Sequence, residues 1–452
     1  MKRAKVIGVV GCGVVVLVVA TVVWMERRPQ WTTNSPQALA AFEEGLSARG
    51  KYYTAEARAR FREALALDPS FAAAKVMVLE SLSPRQKGEV ESLVADLQVE
   101  DLDRLTPRER FLVRHILAER SGSREDARGL VKEYLRRNPR DPYALSIALS
   151  YARLYDDSET INDLASRILS ADPNWVQAYN LLGYDALARG DFAEAERMFA
   201  TYRYIAPDQA NPHDSLAELY MLRGRYEEAR EELEAALEIR PDFWFAYEHL
   251  SLLAQLQRDP SGMKEAAVRA AAAGAPGEVL LELECLAGVW RAAADALWEQ
   301  AWESSGGDCA RLGGSLALFR FRAALATGRD QEAAALEQRW RTLVTEARAK
   351  DDRFSRSREA MLYNLEGMRR MSEGQMSAAA ESFRSADALL TFGQASEGHF
   401  KLSTLLMQAR AWMLAGETDI AREVLRRVRE VNPPFADLLE TETPSPAVAE
   451  KS

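Results

Sequence analysis

Residues 175–242 repeat themselves after 34 positions, and that constrains the fold more than any other feature of the chain. Leu182 returns as Leu216, Gly183 as Ala217, Gly190 as Gly224, Phe192 as Tyr226, Ala195 as Ala229, Phe199 as Leu233 and Pro207 as Pro241. Each unit has a helical apolar pattern, a Gly that can take a left-handed cap, a second helical pattern opening at Asp191 and Glu194, and a terminating Pro. Each unit therefore reads as a helical hairpin.

Small residues at Gly183, Ala195, Ala217 and Ala229 let two helices approach, while Tyr179, Leu182, Phe199, Leu216 and Leu233 fill the space beside them. A lone hairpin leaves one apolar face wet, so units must stack, and a stacked core grows along one axis. A chain of 452 residues can then fold without several separate cores.

The same phase appears far upstream, with Gly45, Ala57, Phe61, Ala64 and Pro69 in equivalent places. It blurs from Phe71 to Leu105, where Pro84 to Gly88 reads as a turn. It then returns in the 34-residue steps Pro139, Pro173, Pro207 and Pro241. Tyr247, Leu250, Ser251 and Ala267 carry it on to Pro276, across a ragged turn at Asp259 to Gly262. Residues 277–314 are helical but poorly repeated, with a loop at Ser304 to Asp308. Gly328 and Ala333 suggest a further hairpin. Gly367, Ala379, Phe383 and Ala386, then Ala409, Trp412, Gly416, Ala421, Leu425, Val428 and Pro433, restore the motif. The expectation is an all-α chain: an α-solenoid over 38–440, best repeated in 142–275 and 360–433, of about eleven or twelve hairpins. The polar residues 441–452 read as a disordered tail.

The N-terminus is of another kind. Residues 1–5 carry Lys2, Arg3 and Lys5, and Val6 to Met25 is apolar or small throughout. Twenty such residues rise about 30 Å as a helix, enough to span the hydrocarbon layer. The whole run suits an uncleaved transmembrane anchor, followed by a linker over 26–37. Cleavage after Ala20 to give a secreted protein, or lipidation at Cys12 of Val9 to Cys12, would use only part of it. The basic flank places the N-terminus in the cytoplasm, which makes a single-pass inner-membrane protein with its solenoid on the periplasmic side. Ala4, Gly8 and Cys12 form a small-residue ridge through which two anchors could pair as a homodimer.

The net charge of −10, with no basic block, argues against nucleic acid, which needs clustered cations. Cys285 and Cys309 read as two buried thiols, pairing only if their region is oxidised. None of the four His forms HExxH or HxxxH, and His213 reads as a packing residue. Phosphate-cradling and nucleophile-elbow motifs do not occur. The run SSGGDC at Ser304 to Cys309 has a hydroxyl, an acid and a thiol but no placed base, so it reads as a turn. Trp290, Trp298, Trp302 and Trp340 have spacings that suit one helix face and a core role. No catalytic, cofactor-binding or metal-binding residue is expected, and no enzyme.

The repeat resembles the tetratricopeptide family, over nearly everything after residue 37, most specifically in 176–241. Residues 106–173 also resemble repeat regions attached to bacterial regulatory proteins. The resemblance implies that the first helix of each hairpin lines a concave groove that binds a protein or peptide. Carried onto this chain, the lining includes Tyr143, Asn180, Tyr184, Asn211, Asp214, Glu218, Phe245 and Glu248. The Lys and Asn clamp by which some members hold a C-terminal carboxylate is missing. Such an acidic and aromatic lining would suit an extended segment carrying Lys or Arg and apolar side chains. The resulting expectation is a membrane-anchored scaffold or adaptor on the extracytoplasmic side. The alternatives are a chaperone-like factor for envelope assembly or secretion, and an enzyme accessory with a site in 277–314.

Overall fold

The computed structural model describes residues 31–82, 86–154, 158–294, 296–311, 315–349, 355–393 and 395–442. The proposed anchor over Val6–Met25 and most of the tail lie outside them. Among the described residues there are twenty-three α-helices, two 3-10 turns and no strand. None of these helices is long and apolar enough to cross a membrane. The chain divides into two compact units between Tyr151 and Ala152.

The first unit holds α1 (Pro36–Gly50), α2 (Thr54–Leu67), α3 (Ala72–Ser81), α4 (Lys87–Gln98), α5 (Pro107–Arg120), α6 (Arg124–Arg137) and α7, which begins at Pro142. Ser35 caps α1 by accepting from Ala38 N, and Pro36 occupies the first turn, where its missing N–H costs nothing. Every residue of α3 from Ala72 to Leu79 is buried, all apolar except Lys75, whose Nζ pairs with Glu100 at 3.2 Å. Residues 31–33, read as the end of a linker, are fixed instead. Trp31 is buried with its ring 4.9 Å from Phe42. Thr32 N donates to Glu109 Oε1 at 2.9 Å, and Thr33 Oγ1 donates to Asp68 at 2.6 Å. Glu109 also closes a capping box with Thr106 at the start of α5.

The second unit runs from α8 (Ser158–Ala171) through the pairs α9 (Val176–Ala188) and α10 (Phe192–Ile205), α11 (Ala210–Leu222) and α12 (Tyr226–Ile239), and α13 (Trp244–Leu256) and α14 (Pro260–Ala272). These match the repeat phase. At the α9–α10 turn Gly190 has φ +76° and at the α11–α12 turn Gly224 has φ +72°, the left-handed region that glycine enters freely. Arg258, at the equivalent place after α13, adopts φ +56° despite its side chain. That missing glycine is why the turn looked ragged in sequence. Asp259 then caps α14 by accepting from Ser261 N at 3.0 Å.

Next come α15 (Gly277–Ala294), α16 (Trp298–Ser304), α17 (Ser315–Ala326) and α18 (Asp330–Ala349). The four Trp lie on three of these helices, so they do not share one helix face. Trp302 and Trp340 pack with Phe321 and Leu365, and Trp298 against Ala292 and Ala301. Cys285 of α15 and Cys309 are disulfide-bonded, their Cα atoms 5.7 Å apart, which corrects the reading of two thiols. The SSGGDC run is therefore stapled to α15. The unit closes with α19 (Ser355–Ser372), α20 (Met376–Asp387), α21 (Ala395–Leu414), α22 (Thr418–Val431) and α23 (Pro433–Glu442). Pro433, read as ending the last repeat, also opens α23, again as a first-turn proline.

Candidate functional site

The 34-residue phase sets the first helices α9, α11 and α13 side by side, so side chains one repeat apart meet. Asp214 and Glu218 are four residues apart on α11 and share one face. Tyr184 OH, from α9, donates to Glu218 Oε1 at 2.6 Å and stands 3.3 Å from Ser215 Oγ. Ser215 Oγ donates to Asn180 Oδ1 at 3.0 Å. From the other side His249 Nδ1 of α13 bonds Asp214 Oδ1 at 2.7 Å, while its Nε2 lies 4.0 Å from Glu218 Oε1. Five side chains from three helices thus form one polar network around Glu218.

Burial governs the charge of this network. Burial alone would push the His249 imidazole down, but the Asp214 and Glu218 carboxylates outweigh it and raise it to about 10. His249 is therefore an imidazolium at neutral pH. Burial drives the Tyr184 hydroxyl well above its ordinary value, with Glu218 and Asp214 adding to the rise. Glu248, half-buried beside His249, is raised to about 7, first by burial and then by the Glu282 carboxylate. Asp214, Glu218 and His249 offer metal-ligand atoms that all lie within 4.8 Å of one another. The Asp214 and Glu218 oxygens nearest the imidazole already accept from His249 and Tyr184, and the imidazolium supplies the positive charge a cation would bring. The trio is accounted for as an ion cluster.

Of the eight expected groove residues, Asn180, Tyr184, Asp214 and Glu218 come together in this network. Glu248 flanks it. Asn211 belongs to a neighbouring layer, where its Nδ2 donates to Tyr202 OH at 3.4 Å. Phe245 is 47% exposed, with only an edge contact to Phe243 at 5.6 Å between centroids. Tyr143 is a core residue of the first unit, 5.6 Å from the Trp31 ring and beneath the Arg108 guanidinium at 4.9 Å. Arg108 Nε in turn donates to Asp141 at 2.8 Å. Ser215 and His249 were missed. His249 follows Asp214 by 35 residues, one repeat and one position, a spacing that a search for local ligand motifs passes over. His213, read as packing, also bonds Glu232 through Nδ1 at 2.6 Å.

The network is not open to solvent. Asp214 and Glu218 are only 4% and 6% exposed, and twelve of the thirteen residues of α11 are buried. At the C-terminal end of the same helix, α21, some two hundred residues later, packs on α11. At Gly398 of α21 an added Cβ would stand 2.4 Å from Leu222 Cδ2. The contact continues at the helix ends. Asn432 Nδ2 donates to Met221 O at 3.0 Å, Tyr226 OH donates to Asn432 Oδ1 at 3.3 Å, and Arg223 Nη1 donates to Glu430 O at 3.0 Å.

Among solved structures, the chain is similar to the Cut9–Hcn1 hetero-tetramer of APC/C, at 12% identity and TM-score 0.45, over 90% of this chain and 76% of that one. It is similar to a tetratricopeptide repeat protein from Parabacteroides merdae, at 13% identity and TM-score 0.40, over 62% and 98%. It is also similar to the human IFIT1 dimer with m7Gppp-AAAA, at 14% identity and TM-score 0.39, over 88% and 90%. No curated protein matches it. Residues 186–256, which hold α11, α13 and most of the polar network, match the model of the tetratricopeptide repeat. That match falls on hairpins that recur at the repeat's own spacing, so residues 186–256 are a tetratricopeptide-repeat segment within an all-helical chain.

Proposed function

We propose that the chain is a membrane-anchored scaffold or adaptor that binds a protein segment along the first helices of its second unit, on the extracytoplasmic side. Tetratricopeptide repeats serve protein–protein interaction, and members of the family are typically not enzymes. The observation that carries the reading is the polar network itself. An interior serving only as core would be mostly apolar, whereas here Asn180, Tyr184, Asp214, Ser215, Glu218 and His249 form a polar network on the first helices, which supports a binding role for them. A segment with a Lys or Arg beside apolar side chains suits that lining, because its cation can replace the imidazolium as partner of the carboxylates. The apolar run Val6–Met25 and its basic flank support an anchor, and a disulfide between Cys285 and Cys309 suits an oxidising compartment.

Two experiments test the two halves. Alkaline phosphatase and green fluorescent protein fused in turn to the C-terminus report its side of the membrane. An active phosphatase with a dark fluorophore is the expected result, and the reverse removes the extracytoplasmic placement. Affinity purification of the full chain from membranes tests binding. A stoichiometric protein partner, lost in Tyr184→Phe/Glu218→Gln, is expected. Failure to retain any partner contradicts the scaffold.

A further inference from the structure

We propose that the surface formed by α11 and the α9–α10 and α11–α12 turns is a helix-docking seat occupied in cis by α21–α23, and that the chain's binding face opens only when those helices leave it. This rests on the scaffold reading above and says what regulates that site. The seat is built from small contacts. Gly224 has no side chain, and a Cβ there would lie 2.6 Å from Asn432 Oδ1 and 2.8 Å from Pro434 Cδ. Gly398 stands in the same relation to Leu222, and an added Cβ at Gly393 would come 3.3 Å from Ala188 Cβ. Phe192 and Phe392 meet edge-on at 5.5 Å, with the Arg223 guanidinium over the Phe192 ring. Three glycines therefore permit the approach, and a few hydrogen bonds through Asn432 and Arg223 hold it.

Two further observations make this seat displaceable. The α21 helix carries two buried polar atoms without a hydrogen-bond partner, Gln408 Oε1 and Trp412 Nε1, so its packing within the unit is not fully satisfied. The helix beneath carries Asp214 and Glu218, held by internal bonds to His249 and Tyr184 that an incoming polar segment can exchange for its own. An intramolecular occupant also has a high effective concentration, so a partner must outcompete it, and loosening it raises apparent affinity.

The test uses the full membrane-embedded chain with a photocrosslinking amino acid at Phe245. Gly398→Leu wedges α21 away from Leu222, and Asn432→Ala removes the bonds to Met221 and Tyr226 without a steric change, while also uncapping α23 at Phe435 N, so its readout is taken from residues 395–431 and 210–226. A Leu222→Cys/Gly398→Cys pair, closed as a disulfide in a Cys12→Ser background, holds the seat shut. Hydrogen exchange about tenfold faster in residues 395–431 and 210–226 of both release variants, with α8 and α14 unchanged, is expected. Partner crosslinking should rise several-fold in the same variants and fall below wild type in the locked form. Unchanged or globally faster exchange in both variants overturns the proposal, because the contact is then ordinary core. Equal crosslinking in wild-type, released and locked forms also overturns it while leaving the scaffold intact. Absence of a partner in every form, released ones included, removes the scaffold reading and the proposal with it.

Discussion

Gly183 of α9 lies directly beneath the ring of Phe199 on α10, so close that a Cβ on Gly183 would stand 2.3 Å from Phe199 Cε1. The relation recurs at Gly45 with Phe61 and at Gly367 with Phe383, each at 2.6 Å. In the intervening repeat the pair is Ala217 with Leu233, both fully buried. The hairpin thus conserves summed volume rather than residue type.

Gly183→Ala tests this. Alanine gains about 1 kcal/mol of helix propensity over glycine, but forcing a methyl into a fully packed ring costs about 1–3 kcal/mol. Because Phe199 is fully buried and cannot swing away, the steric cost wins. Urea denaturation should show a net loss of about 1 kcal/mol or more. Gly183→Ala/Phe199→Leu, which copies Ala217 and Leu233, should recover most of it.

Glu109 holds the start of the first unit together, accepting from Thr32 N and Thr106 N and bonding both hydroxyls, while fully buried. Glu109→Ala strips a cap and leaves buried donors unpaired, a loss of about 2–3 kcal/mol. Residues 31–35 should then exchange amide hydrogens much faster, while the second unit's exchange stays as it was.

The pH dependence has one sign for two groups. His249 is raised from 6.5 to about 10, so the stability it contributes is complete below about 6.5 and lost as pH rises through 10. Glu248 is raised from 4.5 to about 7, so its contribution likewise falls as pH climbs between those values. Melting temperature should decline from pH 5 toward pH 10. In Asp214→Asn the imidazole loses its nearest carboxylate, and its titration followed by NMR should move down. A wild-type His249 that titrates near 6.5 would contradict the ion cluster.

The Cys285–Cys309 bond closes a loop of 24 residues, for which lost chain entropy amounts to about 3 kcal/mol. Reduction, or Cys309→Ser, should destabilise α15 to α17 by about that much. Protein purified from its native cells should show no free thiol at either position when alkylated under denaturing conditions.

The hairpins were legible in sequence because each makes the same demand at the same spacing: a gap at Gly183, a ring at Phe199, a left-handed turn at Gly190. Four of the expected groove residues meet in one network. Asn180, Tyr184, Asp214 and Glu218 follow from the repeat, since equivalent positions must line one face. Three things escaped. Ser215 and His249 take their roles from neighbours one repeat away, at an offset no local motif encodes. Tyr143 matches the phase but sits in the first unit, where Trp31 and Arg108 set its surroundings. The closure of α11 by α21 depends on contacts across about two hundred residues, and Gly224 and Gly398 signal it only when their opposite numbers are known.

The most direct measurement of the central claim is photocrosslinking from Phe245 in intact cells, with mass spectrometry of what is captured, in wild type and in Tyr184→Phe/Glu218→Gln. The account expects a few stoichiometric protein partners in wild type and a loss of at least about tenfold in the double variant, corresponding to about 1.4 kcal/mol of binding. Many unrelated clients, or the same capture in both proteins, would contradict a specific binding face built on this network.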